Sequence, residues 1–119
     1  RQTNFDYVSV SDCEKVMKKA GLRPAIMIDC SHANSRKDYR RQPLVAEDVA
    51  HQIREGNRSI MGLMLESHLV EGNQKADRPK DQLTYGQSIT DACIGWDATE
   101  KLLLRMKDEL GPFLKVRLG

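Results

Sequence analysis

These 119 residues contain no long apolar run. The two longest, Pro24 to Ile28 and Ile60 to Leu65, fall far short of the roughly 20 residues a helix needs to cross a bilayer. No charge of one sign dominates either. Lys and Arg number 19 against 17 acidic residues, a net charge of +2, which gives no reason to expect nucleic acid or a membrane surface as a partner. A secretory leader is not visible, because Arg1 to Asp6 are polar and run straight into a helical pattern. Cysteine is scarce and odd in number: Cys13, Cys30 and Cys93, with no Cys-x-x-Cys pair. That excludes a disulfide framework and fits a reducing cytoplasm, with all three read as buried structural thiols. Internal repeats and low-complexity segments are absent.

What remains is enough for a soluble domain of ordinary size: 39% hydrophobic and 30% charged residues. Val10, Cys13, Met17 and Ala20 form one stripe of a first helix that Gly21 ends. Pro24 bars continuation, and Ala25 to Cys30 reads as a short buried strand. After a polar, basic stretch from Ser31 to Gln42, Pro43 opens a second helix striped by Val45, Val49 and Ile53 and closed by Gly56. A second strand, Ile60 to Leu65, follows. Residues 71–87 read as a mobile loop, polar and rich in turn formers. A last helix begins near Asp97, where Asp97 and Glu100 have capping-box spacing. Its stripe is Leu103, Met106 and Leu110, and Gly111-Pro112 stops it.

Short apolar strands alternating with helices indicate an α/β protein with parallel strands. The two strands start about 35 positions apart, near the roughly 30 residues per unit of a (β/α)8 barrel. Two strands cannot close a barrel, so the chain reads as a single partial domain, residues 1–119, or as strands that pair with another chain. Alternation places Ile26, Ile28, Cys30 and His32 on one face of the first strand, and Ile60, Gly62, Met64 and Glu66 on one face of the second. Each run thus carries a metal-competent side chain past the C-terminal edge, where parallel α/β folds place their active sites. Asp91 follows on the loop side, just before the last helix. Imidazole with two carboxylates suits a divalent transition ion with an open position able to polarise a carbonyl, although a strand-end histidine is more often a hydrogen-bonded structural residue.

Other features have plainer readings. Arg36, Lys37, Arg40 and Arg41 form a solvated basic turn rather than a phosphate site. His68 reads as a surface-loop histidine, and His51 carries no assigned role. Ser31-His32 and Ser67-His68 resemble nucleophilic pairs only superficially, since adjacent side chains in extended backbone diverge. Trp96, the only tryptophan, packs the last helix rather than stacking a ligand.

Three segments carry a more specific signal: Met27 to Ser35 (MIDCSHANS), Gly62 to Gln74 (GLMLESHLVEGNQ) and Tyr85 to Trp96 (YGQSITDACIGW). In order and spacing they resemble signature segments of the class I 3-deoxy-D-arabino-heptulosonate 7-phosphate (DAHP) synthases, and the similarity runs from about Asn4 to the final helix. The resemblance implies the C-terminal portion of a (β/α)8 TIM barrel, its last two parallel strands with their helices. It implies a transferase of the shikimate pathway to aromatic amino acids, condensing phosphoenolpyruvate with erythrose 4-phosphate to DAHP and phosphate. It also implies a divalent metal (Mn, Fe, Co or Zn) held by His32, Glu66 and Asp91, no further catalytic residue on this stretch, and a cytoplasmic homo-oligomer. The family's fourth ligand, a cysteine near the first barrel strand, and the Arg and Lys residues that hold the substrate anions lie upstream. By the same comparison the isolated chain is expected to be inactive. Cys30 faces the packed interior and Cys93 follows Asp91 in the loop, so neither is read as a ligand. The competing expectation is a non-catalytic metal-binding or assembly module that pairs with another chain.

Overall fold

Asp6 opens the first helix. In the computed structural model, which describes residues 2–118, its carboxylate accepts from the Ser9 hydroxyl (2.7 Å) and the Ser9 amide (3.2 Å), and α1 spans Tyr7–Lys19. Those two Ser9 bonds, the hydroxyl first, hold the Asp6 carboxyl below its ordinary 3.8. A folded value below the unfolded one stabilises the helix above about pH 4 and loses that contribution as pH falls through the folded value. Asp6→Ala is therefore expected to destabilise the chain by about 1 kcal/mol at pH 7. In thermal melts the gap between wild type and variant should narrow below pH 4.

The helix touches the core along a single line. Val10 is its one buried residue, and Cys13 is exposed rather than a buried thiol. Ala20 and Gly21, the latter at φ +77°, end it, as the glycine at that position predicts.

The strands are shorter than the sequence suggests. β1 covers Ile26–Asp29 and β2 covers Ile60–Met64, paired in parallel. Ile26 pairs with Ile60 but Met27 with Gly62, so Met61 is an extra residue and the ladder is irregular there. That bulge overturns the expected common face of Ile60, Gly62, Met64 and Glu66. Ile60 is buried, and beyond the bulge Leu63 and Leu65 pack against the same core, which puts Gly62, Met64 and Glu66 on the opposite face. On β1 the core side belongs to Ile28 and Cys30, while Met27 is 68% exposed. Met27 lies across Gly62, its Cε 3.2 Å from where a β-carbon would sit. A larger residue at 62 would displace it.

Helix α2, Gln42–Arg54, carries Pro43 in its first turn and buries Val45, Ala46, Val49, Ala50 and Ile53. Glu55 caps it and Gly56, at φ +111°, turns the chain away. Helix α3 spans Trp96–Leu118 and departs from expectation in four ways. Asp97 lies inside the first turn instead of capping it. The row facing the core is Thr99, Leu102, Met106 and Leu110, one position off at Leu103, which is half exposed. Trp96 precedes that row and is also half exposed, so it does not pack the helix down. Lastly, the helix continues through Pro112. The carbonyl of Asp108, which Pro112 cannot satisfy, belongs to an exposed residue that water can reach. Beyond it the Arg117 guanidinium donates to the carbonyls of Ile60 and Asn57, both at 2.6 Å. The last turn is thereby tied to the entry of β2.

Between β2 and α3 lies a second small parallel sheet that the sequence does not announce. It pairs β3, Val70–Asn73, with β4, Gln87–Ser88. The segment between them includes a single helical turn at Lys80–Gln82. The Gln74 side chain closes its base, exchanging two 2.8 Å hydrogen bonds with the Thr84 backbone and donating to the Gln87 carbonyl at 3.1 Å. The core, with α2 and α3 packed on β1 and β2, fixes the C-terminal ends of both strands, where the candidate site lies.

Candidate metal centre

The chain leaves β1 at Asp29 and turns sharply. His32 adopts φ +53°, and Arg36 and Lys37 adopt +54° and +60°, a left-handed conformation that side chains other than glycine rarely accept. Three such residues within six positions need strong local support. Buried Asn34 provides part of it. Its amide donates to the Asp29 carbonyl at 2.8 Å and to the Asn4 side chain at 2.9 Å, and its own oxygen accepts from the Asn4 amide at 2.8 Å. The Lys37 amide closes the turn on the His32 carbonyl at 2.9 Å.

This turn, rather than strand alternation, aims His32. Its Nε2 lies 3.1 Å from Glu66 Oε1 and 3.3 Å from Asp91 Oδ2. One ligand atom from each of the three residues falls within 4.8 Å of the other two. The structure thus brings together all three candidates named from the sequence, and among the described residues no other such group occurs. Donors about 2.1 Å from one ion stand roughly 3.0 Å apart at octahedral angles and 3.4 Å apart at tetrahedral ones. The two distances from His32 Nε2 fall in that interval, so the donor set fits a divalent transition ion.

The far side of the ring is equally ordered. His32 Nδ1 is 2.8 Å from Asp29 Oδ2, and the Ser31 hydroxyl donates to the other Asp29 oxygen at 2.6 Å. The proton on Nδ1 therefore points at Asp29, leaving the Nε2 lone pair free for an ion. This carboxylate–imidazole arrangement holds His32 above its ordinary 6.5, with Asp29 acting first and Glu66 adding to it. Asp29 itself is pushed up by partial burial, but the hydrogen bonds from Ser31 and His32 outweigh that and leave it below 3.8. Asp29 was missed at the level of sequence. The signal for it was a carboxylate inside an otherwise apolar strand.

Ser31 Oγ also approaches His32 Nδ1, at 2.8 Å, against the expectation that the pair diverges. The backbone at His32 is not extended, which is why they meet. Serine and aspartate converge on the same ring nitrogen, so the arrangement is not a nucleophilic triad. His68 takes no part: its Nδ1 accepts from the Leu69 amide at 2.8 Å on the exposed side. His51 stands 3.9 Å from Glu55 on α2.

Glu66 and Asp91 reach the site by different routes. Glu66 lies two residues past the end of β2, and its backbone is held by Gln42 from α2. Asp91 sits in the segment after β4, which returns to Glu66 through the Ile94 amide donating to the Glu66 carbonyl at 2.9 Å. A cavity of about 310 Å3 opens over the group, lined among others by Lys37, Tyr39, Gln42 and Ala92. Lys37, itself exposed, borders this cavity, whereas Arg40 stacks on Tyr39 at 5.1 Å and Arg36 and Arg41 are exposed away from its lining. The two buried thiols remain apart. Burial pushes Cys30 up to about 12, far from the thiolate a metal requires. Cys93, also raised by burial, directs its sulfur to the Asp91 carbonyl at 3.4 Å. A larger cavity, about 1260 Å3, opens at the other end of the strands among Arg23, Asn57 and Arg58. It lacks any comparable convergence of donors.

Comparison with known proteins gives a consistent picture. The profile of the DAHP synthetase I family matches residues 1–104. A phospho-2-dehydro-3-deoxyheptonate aldolase of Enterobacter agglomerans, described as Tyr-sensitive, is 58% identical over 116 residues, covering 98% of this chain and 54% of that protein. The Tyr-sensitive enzyme of Escherichia coli is 53% identical over 116 residues, 98% of this chain and 33% of its own length. Among solved structures, the phospho-2-dehydro-3-deoxyheptonate aldolase of Francisella tularensis superposes with a TM-score of 0.85 at 42% identity, over 92% of this chain and 31% of that one. The chain therefore spans between a third and about half the length of these curated relatives.

Proposed function

The chain belongs to the DAHP synthetase I family, and on that premise we propose that it forms the metal-holding C-terminal part of a class I DAHP synthase. In this reading β1 and β2 are the last two strands of a (β/α)8 barrel. The complete enzyme condenses phosphoenolpyruvate with erythrose 4-phosphate, releasing phosphate, in the pathway to aromatic amino acids. It works in the cytoplasm as a homo-oligomer. The observation that carries the reading is the convergence of His32 Nε2, Glu66 Oε1 and Asp91 Oδ2 at one end of the parallel strands.

A divalent ion such as Mn, Fe, Co or Zn, when bound there, supplies Lewis-acid polarisation of the aldehyde carbonyl. The chain's own residues prepare for it. Asp29 keeps the proton on Nδ1 so that His32 offers Nε2. Glu66 and Asp91 offset the ion's charge with carboxylate oxygens. Lys37, lining the same cavity, supplies a positive charge suited to a substrate anion. The ends of the 71–87 stretch are held in β3 and β4, and the segment between these strands acts as a cover, closed at its base by Gln74.

The exposed surface supports partnership with further barrel strands. The Cα radius of gyration is 16.7 Å, against roughly 13.5 Å for a compact domain of this length. Met27 of β1 and Met61 of β2 are 68% and 59% exposed on the two-stranded sheet, a burden that soluble strands normally shed by pairing and covering. This also favours the assembly reading, in which the strand edges pair with another chain. A chimera tests both. Substituting this chain for the matching segment of the E. coli Tyr-sensitive enzyme should give a protein that forms DAHP within tenfold of the parent rate. A chimera that folds and binds Mn2+ yet makes no DAHP would contradict the enzymatic reading and leave the assembly one.

A further inference from the structure

We infer that Gln42 is a positioning residue for the metal centre, setting the place of the Glu66 carboxylate and, through Ile94, of Asp91. The inference rests on the metal reading above. Gln42 is completely buried, unusual for a polar side chain with no charge partner. The ladder of β2 ends at Met64, so past it the Glu66 amide has no strand partner, and the Glu66 carbonyl meets only the single bridge formed with the Ile94 segment. Gln42 takes the strand's place: its Oε1 accepts from the Glu66 amide at 2.8 Å and its Nε2 donates to the Glu66 carbonyl at 2.9 Å. A side-chain amide offers the same donor and acceptor as a peptide, and here both serve one residue.

The Glu66 carbonyl also accepts from the Ile94 amide at 2.9 Å, and the Ser67 hydroxyl meets that of Thr99 at 2.5 Å. The backbone of Glu66 is thereby the shared anchor of α2, β2 and the segment that carries Asp91. Its side chain faces His32 at 3.1 Å. Groups that orient a ligand without touching the ion typically govern metal affinity by 10- to 100-fold. Gln42 lies 24 positions from Glu66, so no local pattern announces this role.

Methionine at 42 keeps the length of the side chain but not the amide. Gln42→Met is expected to weaken Mn2+ binding by roughly 10- to 100-fold, measured calorimetrically on the 119-residue chain at a temperature where the variant is folded. Without metal, the Glu66 amide should exchange with solvent at least about tenfold faster. Val49→Ala is the control for lost stability alone: Val49 is fully buried in the core, and this variant should melt lower yet bind Mn2+ unchanged. Should Gln42→Met fail to fold, Gln42→Asn retracts the amide by one methylene and serves the same comparison. A Gln42 variant that is folded and binds Mn2+ within twofold of wild type, while His32→Ala does not bind, overturns this inference alone. A wild-type chain that fails to bind Mn2+ overturns the metal reading and the inference together.

Discussion

Replacing His32 with alanine is expected to reduce Mn2+ affinity by at least about 100-fold, more than loss of an orienting neighbour would. The substitution removes the one nitrogen donor of the group and leaves Glu66 and Asp91 as two carboxylates without the base between them. It should cost the fold little, because His32 is exposed and its side chain belongs to no core contact. The pH dependence of wild-type binding follows from Asp29. That carboxylate raises His32 above its ordinary 6.5, so a proton competes with the ion at higher pH than for a free imidazole. Affinity should fall as pH drops through that raised value and recover above it. In whatever weak binding His32→Ala retains, this step should vanish. Retention of the step in the variant would assign it to another group.

A second large effect concerns catalysis by the 119-residue chain on its own. Given phosphoenolpyruvate, erythrose 4-phosphate and Mn2+, it is expected to form DAHP at less than roughly a thousandth of the rate of an intact family member. The physical ground is charge. The substrates bring two phosphates and a carboxylate, whereas Lys37 is the one lysine or arginine lining the cavity over the group among the described residues. Removing even one preorganised partner of a reacting centre typically costs about 100- to 1,000-fold, and misplacement of a substrate adds to it. A discontinuous assay of DAHP with purified chain tests this. Turnover within tenfold of an intact enzyme would mean that the chain positions both substrates without further barrel strands.

How much of this could be read in the sequence depended on whether local pattern or tertiary geometry decides the outcome. Helices α1 and α2 were legible because their glycines and Pro43 punctuate clear apolar periodicity. Helix α3 begins at Trp96, next to the expected Asp97, but runs past its expected stop. The usual meaning of Gly111-Pro112 is a stop, but the Arg117 anchor, 57 and 60 positions from the carbonyls it binds, lies beyond any local window. Strand β2 was located, yet its faces were not, because one extra residue at Met61 inverts the alternation after it. The small β3–β4 sheet carries hardly any apolar pattern and depends on pairing residues 15 and 17 positions apart.

The site shows the same division. His32 and Glu66 stand out in the sequence as metal-competent residues at strand ends, the resemblance of three segments adds Asp91, and the structure places the three together. The route was wrong for His32: its approach to Glu66 depends on a left-handed backbone that alternation cannot foresee. Asp29, Ser31, Asn34 and Gln42 went unassigned because each acts through a neighbour, and periodicity carries no information about such contacts.

The central claim is that these three side chains hold one divalent ion, and electron paramagnetic resonance of the chain titrated with Mn2+ tests it most directly. One ion should bind per chain, with nitrogen modulation of its echo from a coordinated imidazole, and both should be lost in His32→Ala. Binding without nitrogen modulation, or an unchanged bound ion in His32→Ala, would contradict it.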